Sequence, residues 1–260
     1  MSQRFDCSDD VQRRAGIDAA ADAIRSGKLV ILPTDTVYGV AADAFTPRAI
    51  TGLLAAKGRG RAMPVPVLIA DADTLEGVAT NVGSSARLLT RACWPGGLTV
   101  IVEHPPSLAW DLGDGQGTVA VRVPDDDLAR DLLRETGPLG VSSANRSGHP
   151  PARTADEAIE ALGDLVAVVL DDGPRRDGEP STIVDCTVDP PRVLRVGAVS
   201  QSRLQYLVPT LRTVTADLEP PEPTSAQPQP EPAQPEPAQP EPAQPEPAPV
   251  QPSAEEQPQP

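Results

Sequence analysis

Thr34, Asp35, Thr36 and Tyr38 come directly after the apolar run Val30-Ile31-Leu32-Pro33, and Gly39 follows them. The apolar run reads as a buried strand. Pro33 ends its ladder because proline has no N–H to donate. Gly39 then lets the backbone turn. Hydroxyls and a carboxylate at the mouth of a buried strand are what a small-molecule site at a sheet edge needs. An ordinary strand-end turn would use the same residue types, so the segment acquires meaning only from its company.

Three further blocks supply that company. Lys57-Gly58-Arg59-Gly60-Arg61 follows a helix-like stretch, and is either a phosphate-binding helix end or a solvated basic loop. Thr118-Val119-Ala120-Val121-Arg122-Val123-Pro124 reads as a strand with one inward arginine, for which a strand-surface ion pair is the plain alternative. Ser142-Ser143-Ala144-Asn145-Arg146-Ser147-Gly148 follows the apolar Leu139-Gly140-Val141. With His104 and His149 as the only histidines, a His-based triad or His-rich metal site is not supported. There is no Gly-x-Gly-x-x-Gly and no Walker loop, so a nucleotide here would not bind in either familiar way.

In this order and spacing the blocks resemble the YrdC-like family, the threonylcarbamoyl-AMP synthases. The resemblance continues through Glu179-Pro180-Ser181-Thr182-Ile183-Val184-Asp185 and Val193-Leu194-Arg195-Val196-Gly197, and covers residues 10–207. It implies a twisted open α/β fold with a concave, positively lined face. It also implies that L-threonine, bicarbonate and ATP are the substrates. Threonine and bicarbonate would give an N-carboxylated threonine, whose new carboxylate attacks the α-phosphorus of ATP and expels pyrophosphate. A separate machinery would transfer the threonylcarbamoyl group from the product to an adenosine of tRNA, with at most a transient tRNA contact here. Such nucleotidyl transfer needs no protein nucleophile, only positioning and charge stabilisation.

The resemblance assigns threonine contacts to Thr36, Arg122 and Ser181, with Arg122 offering a bidentate fork to a carboxylate. For Thr36 and Ser181 a cap or turn role is the rival reading. It assigns nucleotide contacts to Lys57, Arg59, Thr118, Ser143, Asn145 and Arg195. Mg2+ is implied by the ATP chemistry rather than by a visible carboxylate cluster, Asp35 being the nearest candidate. The chain departs from the family pattern twice: Leu68 stands where members often carry a histidine, and Pro151 where a serine is common.

These residues need elements to hold them. Ile17, Ala20, Ala21 and Ile24 fall at helical spacing, closed by Ser26-Gly27. Thr46 and Pro47 open a second helix ending at Lys57. Helices are also expected over 84–93, 126–136, 155–162 and 200–207. Strands are expected over 28–33, 65–70, 98–103, 118–123, 139–143 and 166–170. Two more, over 181–186 and 192–195, should pair. Strand–helix alternation interrupted by hairpin-like pairs predicts a mixed sheet rather than a purely parallel one.

Composition splits the chain in two. Residues 219–260 hold 16 of the 32 prolines and no Lys, Arg or aromatic residue, in a repeated Pro-Glu-Pro-Ala-Gln unit. Such a segment has little apolar area to offset ordering entropy, so 209–260 is expected to be disordered and partly polyproline II, beside a catalytic domain over 1–208. Its eight glutamates face no cation, so of the net charge of −15 the remainder carries −7. That balance argues against generic nucleic-acid binding. A double-stranded RNA or tRNA surface reader is the alternative from another class, since aromatics at 2% are too sparse for base stacking. Cys7, Cys93 and Cys186 lack any Cys-x-x-Cys spacing and read as buried reduced thiols. Without a signal peptide or a membrane-length apolar run, the protein is expected to be cytoplasmic and to have no membrane partner.

Overall fold

The computed structural model describes residues 2–175 and 178–213. Its strands are β1 (Gln3–Asp6), β2 (Val30–Leu32), β3 (Gly39–Asp43), β4 (Val67–Leu68), β5 (Leu98–Glu103), β6 (Thr118–Arg122), β7 (Leu139–Ser143), β8 (Val168–Asp171), β9 (Thr182–Asp185) and β10 (Arg192–Arg195). Its helices are α1 (Asp10–Arg25), α2 (Pro47–Lys57), α3 (Leu75–Val78), α4 (Ser84–Cys93), α5 (Asp127–Thr136), α6 (Ala155–Leu162) and α7 (Gln201–Leu207). The strands form one sheet in the order β1-β8-β2-β3-β7-β4-β6-β5-β9-β10. Parallel pairs (β1 with β8, β2 with β8, β4 with β6, β5 with β9) mix with antiparallel ones, as the interrupted alternation predicts.

Strand alternation explains where a ligand can reach the sheet. Val119 and Val121 of β6 point into a core that also takes Ile50 and Leu53 of α2, Leu89 of α4, Ala158 of α6 and Leu204 of α7. Residues two apart share a face, so Thr118, Ala120 and Arg122 lie on the other side. There a second core joins Ile17 and Ile24 of α1 and Leu132 of α5 to Val30, Leu32, Leu139 and Leu170. That second core stops at Leu68 and Leu139 and takes nothing from β5, β6, β9 or β10. Ala120, Ile101 and Ile183, which alternate onto this side, are only half-buried. The sheet therefore keeps one face of its β6-β5-β9-β10 end open.

Several local expectations are met by named groups. Asp126 caps α5 by accepting from Ala129 N at 2.9 Å, and Gly137 ends that helix at φ +81°. Gly58, at φ +62°, ends α2 in the left-handed conformation that suits glycine. β9 and β10 pair antiparallel.

Other positions depart from the sequence reading. Gly39 is not a turn residue but the first residue of β3, paired with Leu32 and Ser143. A Cβ there would stand 2.7 Å from Val141 Cγ1, so close strand approach requires the glycine. The strand expected over 65–70 narrows to Val67–Leu68, because Pro66 cannot donate to the ladder. Thr46 is the N-cap residue of α2, but its hydroxyl donates to Asp43 Oδ2 at 2.6 Å instead of capping the helix. β1, β3 and α3 fall where the sequence pattern predicts no strand or helix.

The folded unit also continues past 208. Leu211 is buried, Val193 N donates to Arg212 O at 2.9 Å, and Arg212 N donates to Pro191 O at 2.8 Å. The reading of 214–260 as disordered lies outside the described residues. Cys7 and Cys93 are buried and Cys186 half-buried, and none forms a disulfide. No helix among the described residues is long and apolar enough to cross a membrane.

Candidate active site

Arg122 sits at the end of β6, on the open face, with 7% of its side chain exposed. Its guanidinium is already partnered. Nε donates to Gly96 O at 2.9 Å, Nη1 to Thr36 Oγ1 at 2.9 Å, and Nη2 makes a short charge-assisted bond to Asp35 Oδ1. Three of the five N–H groups are thus spent, which leaves one on each terminal nitrogen. Burial lowers the Arg122 pKa, against the neighbouring Asp35 carboxylate, which raises it. A cavity of about 690 Å3, within the usual range for small-molecule sites, opens beside the pair. Asp35, Thr36, Trp94, Gly97, Glu179 and Arg203 are among its lining residues.

Ser181 and Arg195 meet each other. Arg195 donates from Nε and Nη2 to Ser181 O at 3.1 and 2.8 Å, and from Nη2 to Ser181 Oγ at 3.2 Å. Ser181 Oγ also pairs with Thr99 Oγ1 of β5 at 2.8 Å. A residue expected to touch the amino acid and one expected to touch the nucleotide are therefore in direct contact.

Lys57 closes α2 in an unexpected way. Its Nζ donates to Ser143 O at 2.5 Å, Asn145 O at 2.7 Å and Asn145 Oδ1 at 3.4 Å. All three ammonium protons have acceptors, and Asn145 Nδ2 is used on Arg146 O and His149 O at 2.9 and 2.6 Å. Lys57 and Asn145 thus hold the turn after β7. The Ser143 hydroxyl makes no hydrogen bond among the described residues. Arg59 contrasts with Lys57: its Nε is buried without a partner, and its Nη2 is only 3.5 Å from Pro64 O. Thr118 stands apart from the other expected contacts, its hydroxyl donating to Gly115 O at 2.7 Å.

Electrostatics tie these cations into one group. Burial pushes Lys57 down to about 8, with the Arg59 charge adding to the effect. Burial also lowers Arg59. Arg195 is lowered by burial first, then by the fields of Arg122 and Arg59. Like charges crowded at a partly desolvated face raise their own cost, and an anionic ligand relieves it.

Asp35 is the residue the sequence undervalued. Its signal was present, as a carboxylate next to Thr36, but its partner lies 87 positions away. Among the described residues no group of three or more His, Cys, Asp or Glu side chains could hold a metal ion, and Asp35 commits one oxygen to Arg122.

Comparison with known proteins identifies the family. The profile of the Sua5/YciO/YrdC family, described as "Telomere recombination", matches residues 22–197. A Mycobacterium tuberculosis protein provisionally named a threonylcarbamoyl-AMP synthase is 54% identical over 204 residues, covering 78% of this chain and 94% of its own. The threonylcarbamoyl-AMP synthase of Bacillus subtilis is 36% identical over 74% of this chain, but the match spans only 56% of that longer protein. The structure of P. abyssi Sua5 complexed with L-threonine superposes with a TM-score of 0.74 at 32% identity, covering 82% of this chain and 62% of that one. With a mixed sheet open at one end, strand-end hydroxyls beside a buried arginine, and a family profile matched across most of the folded unit, this chain belongs to the Sua5/YciO/YrdC family.

Proposed function

We propose that this protein is a threonylcarbamoyl-AMP synthase, a nucleotidyltransferase that makes L-threonylcarbamoyladenylate from L-threonine, bicarbonate and ATP. The observation that carries the reading is the contact between Ser181 and Arg195 on the face that also presents Arg122 and Thr36. It makes the amino-acid end and the phosphate end of the site adjoin, as a reaction joining the two substrates requires. The L-threonine complex of a relative at 32% identity supports the same substrate.

The threonine carboxylate takes the two remaining N–H groups of Arg122, one on each terminal nitrogen. The threonine nitrogen, as the free amine, attacks the bicarbonate carbon: the N–C bond forms, a C–O bond breaks, and the hydroxyl leaves as water with an amine proton, giving the carbamate. An oxygen of that carbamate then attacks the α-phosphorus, and the bond from phosphorus to the bridging oxygen of pyrophosphate breaks. Arg59 and Arg195 face the charge that builds up on the phosphates, with the Ser143 hydroxyl as a further donor. Thr118 borders the nucleotide from the start of β6. Lys57 and Asn145 act by holding the turn that carries Ser143. Mg2+ would enter on ATP, held by its phosphates, and would neutralise part of their charge. The product is a mixed anhydride and passes to a tRNA-modifying acyl transfer.

The test is pyrophosphate release by the full chain. It should require threonine, bicarbonate and ATP together, and fall to background when any one is withheld. Release independent of threonine, or none at all, overturns the reading.

A further inference from the structure

The hydrogen-bond directions around Thr36 show what the cavity lacks. Thr34 Oγ1 lies 2.7 Å from Val37 O, a carbonyl that can only accept, so the Thr34 proton goes there. The Thr34 oxygen also accepts from Thr36 N at 3.2 Å and from Val37 N at 3.3 Å, and it lies 3.0 Å from Thr36 Oγ1. Thr36 in turn accepts from Arg122 Nη1 at 2.9 Å. Arg122 takes one lone pair of the hydroxyl oxygen, and the other is still on offer. Asp35 offers the same kind of group. One carboxylate oxygen is on Arg122, and the other makes no hydrogen bond among the described residues. With 17% of its side chain exposed, Asp35 lines the cavity together with Thr36. Two adjacent oxygens with lone pairs to spare, one of them on a carboxylate, suit a ligand group rich in N–H. Beside them, Arg122 shows the opposite polarity, two N–H donors with no acceptor.

From this juxtaposition we propose that Asp35 is a substrate-binding residue: it accepts from the amino group of the α-amino acid, while Arg122 donates to its carboxylate. The ion pair then reads the zwitterion as a unit, with opposite charges held next to each other. The proposal rests on the reading of this cavity as an amino-acid site. It gives Asp35 a role in specificity, selecting a ligand whose amine stands next to its carboxylate. After N-carboxylation the nitrogen keeps one N–H, so the same acceptor can hold the carbamate through the second step.

The test compares L-threonine with 3-hydroxybutyrate, which lacks the amine, as ligands of the full chain by calorimetry. Wild type should bind threonine at least about tenfold more tightly. Asp35→Asn keeps an acceptor for Arg122 but replaces the second oxygen with N–H groups. It should weaken threonine roughly ten- to hundred-fold, the size of one charge-assisted hydrogen bond, and leave 3-hydroxybutyrate unchanged within about threefold. Asp35→Glu, which retains a carboxylate, should recover part of the discrimination, and it carries the comparison if the asparagine variant does not fold. Equal weakening of both ligands means that Asp35 only supports Arg122 and overturns the proposal, as does unchanged threonine binding in Asp35→Asn. If wild type binds neither ligand, the amino-acid reading of the cavity falls first and takes this proposal with it.

Discussion

Lys57 gives the sharpest perturbation of the site's frame. Lys57 as a whole is 3% exposed, and its ammonium is held by carbonyl oxygens of Ser143 and Asn145 and by the Asn145 amide oxygen. Burial and the Arg59 charge bring it from 10.5 down to about 8. Between those values the unfolded chain binds a proton that the folded chain has lost, so stability rises with pH across that window. Below pH 8 the full cost of the charged group is present; above 10.5 it is gone. The interval corresponds to at most about 3 kcal/mol, and screening by the solvent that reaches the cation cluster reduces it to about 1–2 kcal/mol. For a domain of this size that is a gain of about 2–8 °C in Tm. Buried acids work the other way: Cys7 is raised to about 11 and Cys186 to about 12, and Tyr38 is also raised. The wild-type curve therefore mixes both signs. The difference between wild type and Lys57→Met isolates the lysine. Thermal melts of both from pH 7 to 10.5 should show that difference shifting in favour of wild type by the stated amount above pH 8. A difference that stays constant with pH would refute the claim that this ammonium is buried against the turn.

The other expectations concern the ligands and the chain's C-terminal segment. Arg122→Ala removes the buried partner of Asp35 and should cost about 3–5 kcal/mol of stability; Arg122→Lys, less disruptive, should raise the threonine KM at least about tenfold with little change for ATP. Arg59→Ala should abolish ATP binding by calorimetry while threonine binding survives, and Arg59→Lys should not rescue it, because lysine lacks the planar fork. Loss of both ligands together would make the basic loop a shared structural element. A chain truncated after Thr215 keeps Leu211 and Arg212 and should retain full turnover and Tm; a large drop in either would show that the Pro/Glu segment contributes to the folded unit.

The parts of the fold written in local chemistry were legible in the sequence. Pro33 closes β2, Pro47 and Gly58 bracket α2, and Asp126 and Gly137 bracket α5. β3 was not legible because Gly39-Val40-Ala41-Ala42-Asp43 has no polar–apolar period, being buried on both faces, and its glycine reads as a turn. The site residues were legible as types but not as partners. Nothing near Lys57 announces that its three protons go to Ser143 and Asn145, 86 and 88 positions away. The Asp35–Arg122 pair has the same character. In the sheet β2 and β6 stand four places apart, and only the path of the segment after β2 brings Asp35 to Arg122.

The most direct test of the account follows isotopically labelled bicarbonate through the reaction. Full-length protein with L-threonine, ATP and Mg2+ should yield a species in which threonine, the labelled carbon and AMP are joined, with one pyrophosphate per product, detected by mass spectrometry. Formation of AMP and pyrophosphate without label in a threonine adduct, or binding of duplex RNA with no product formed, would contradict it.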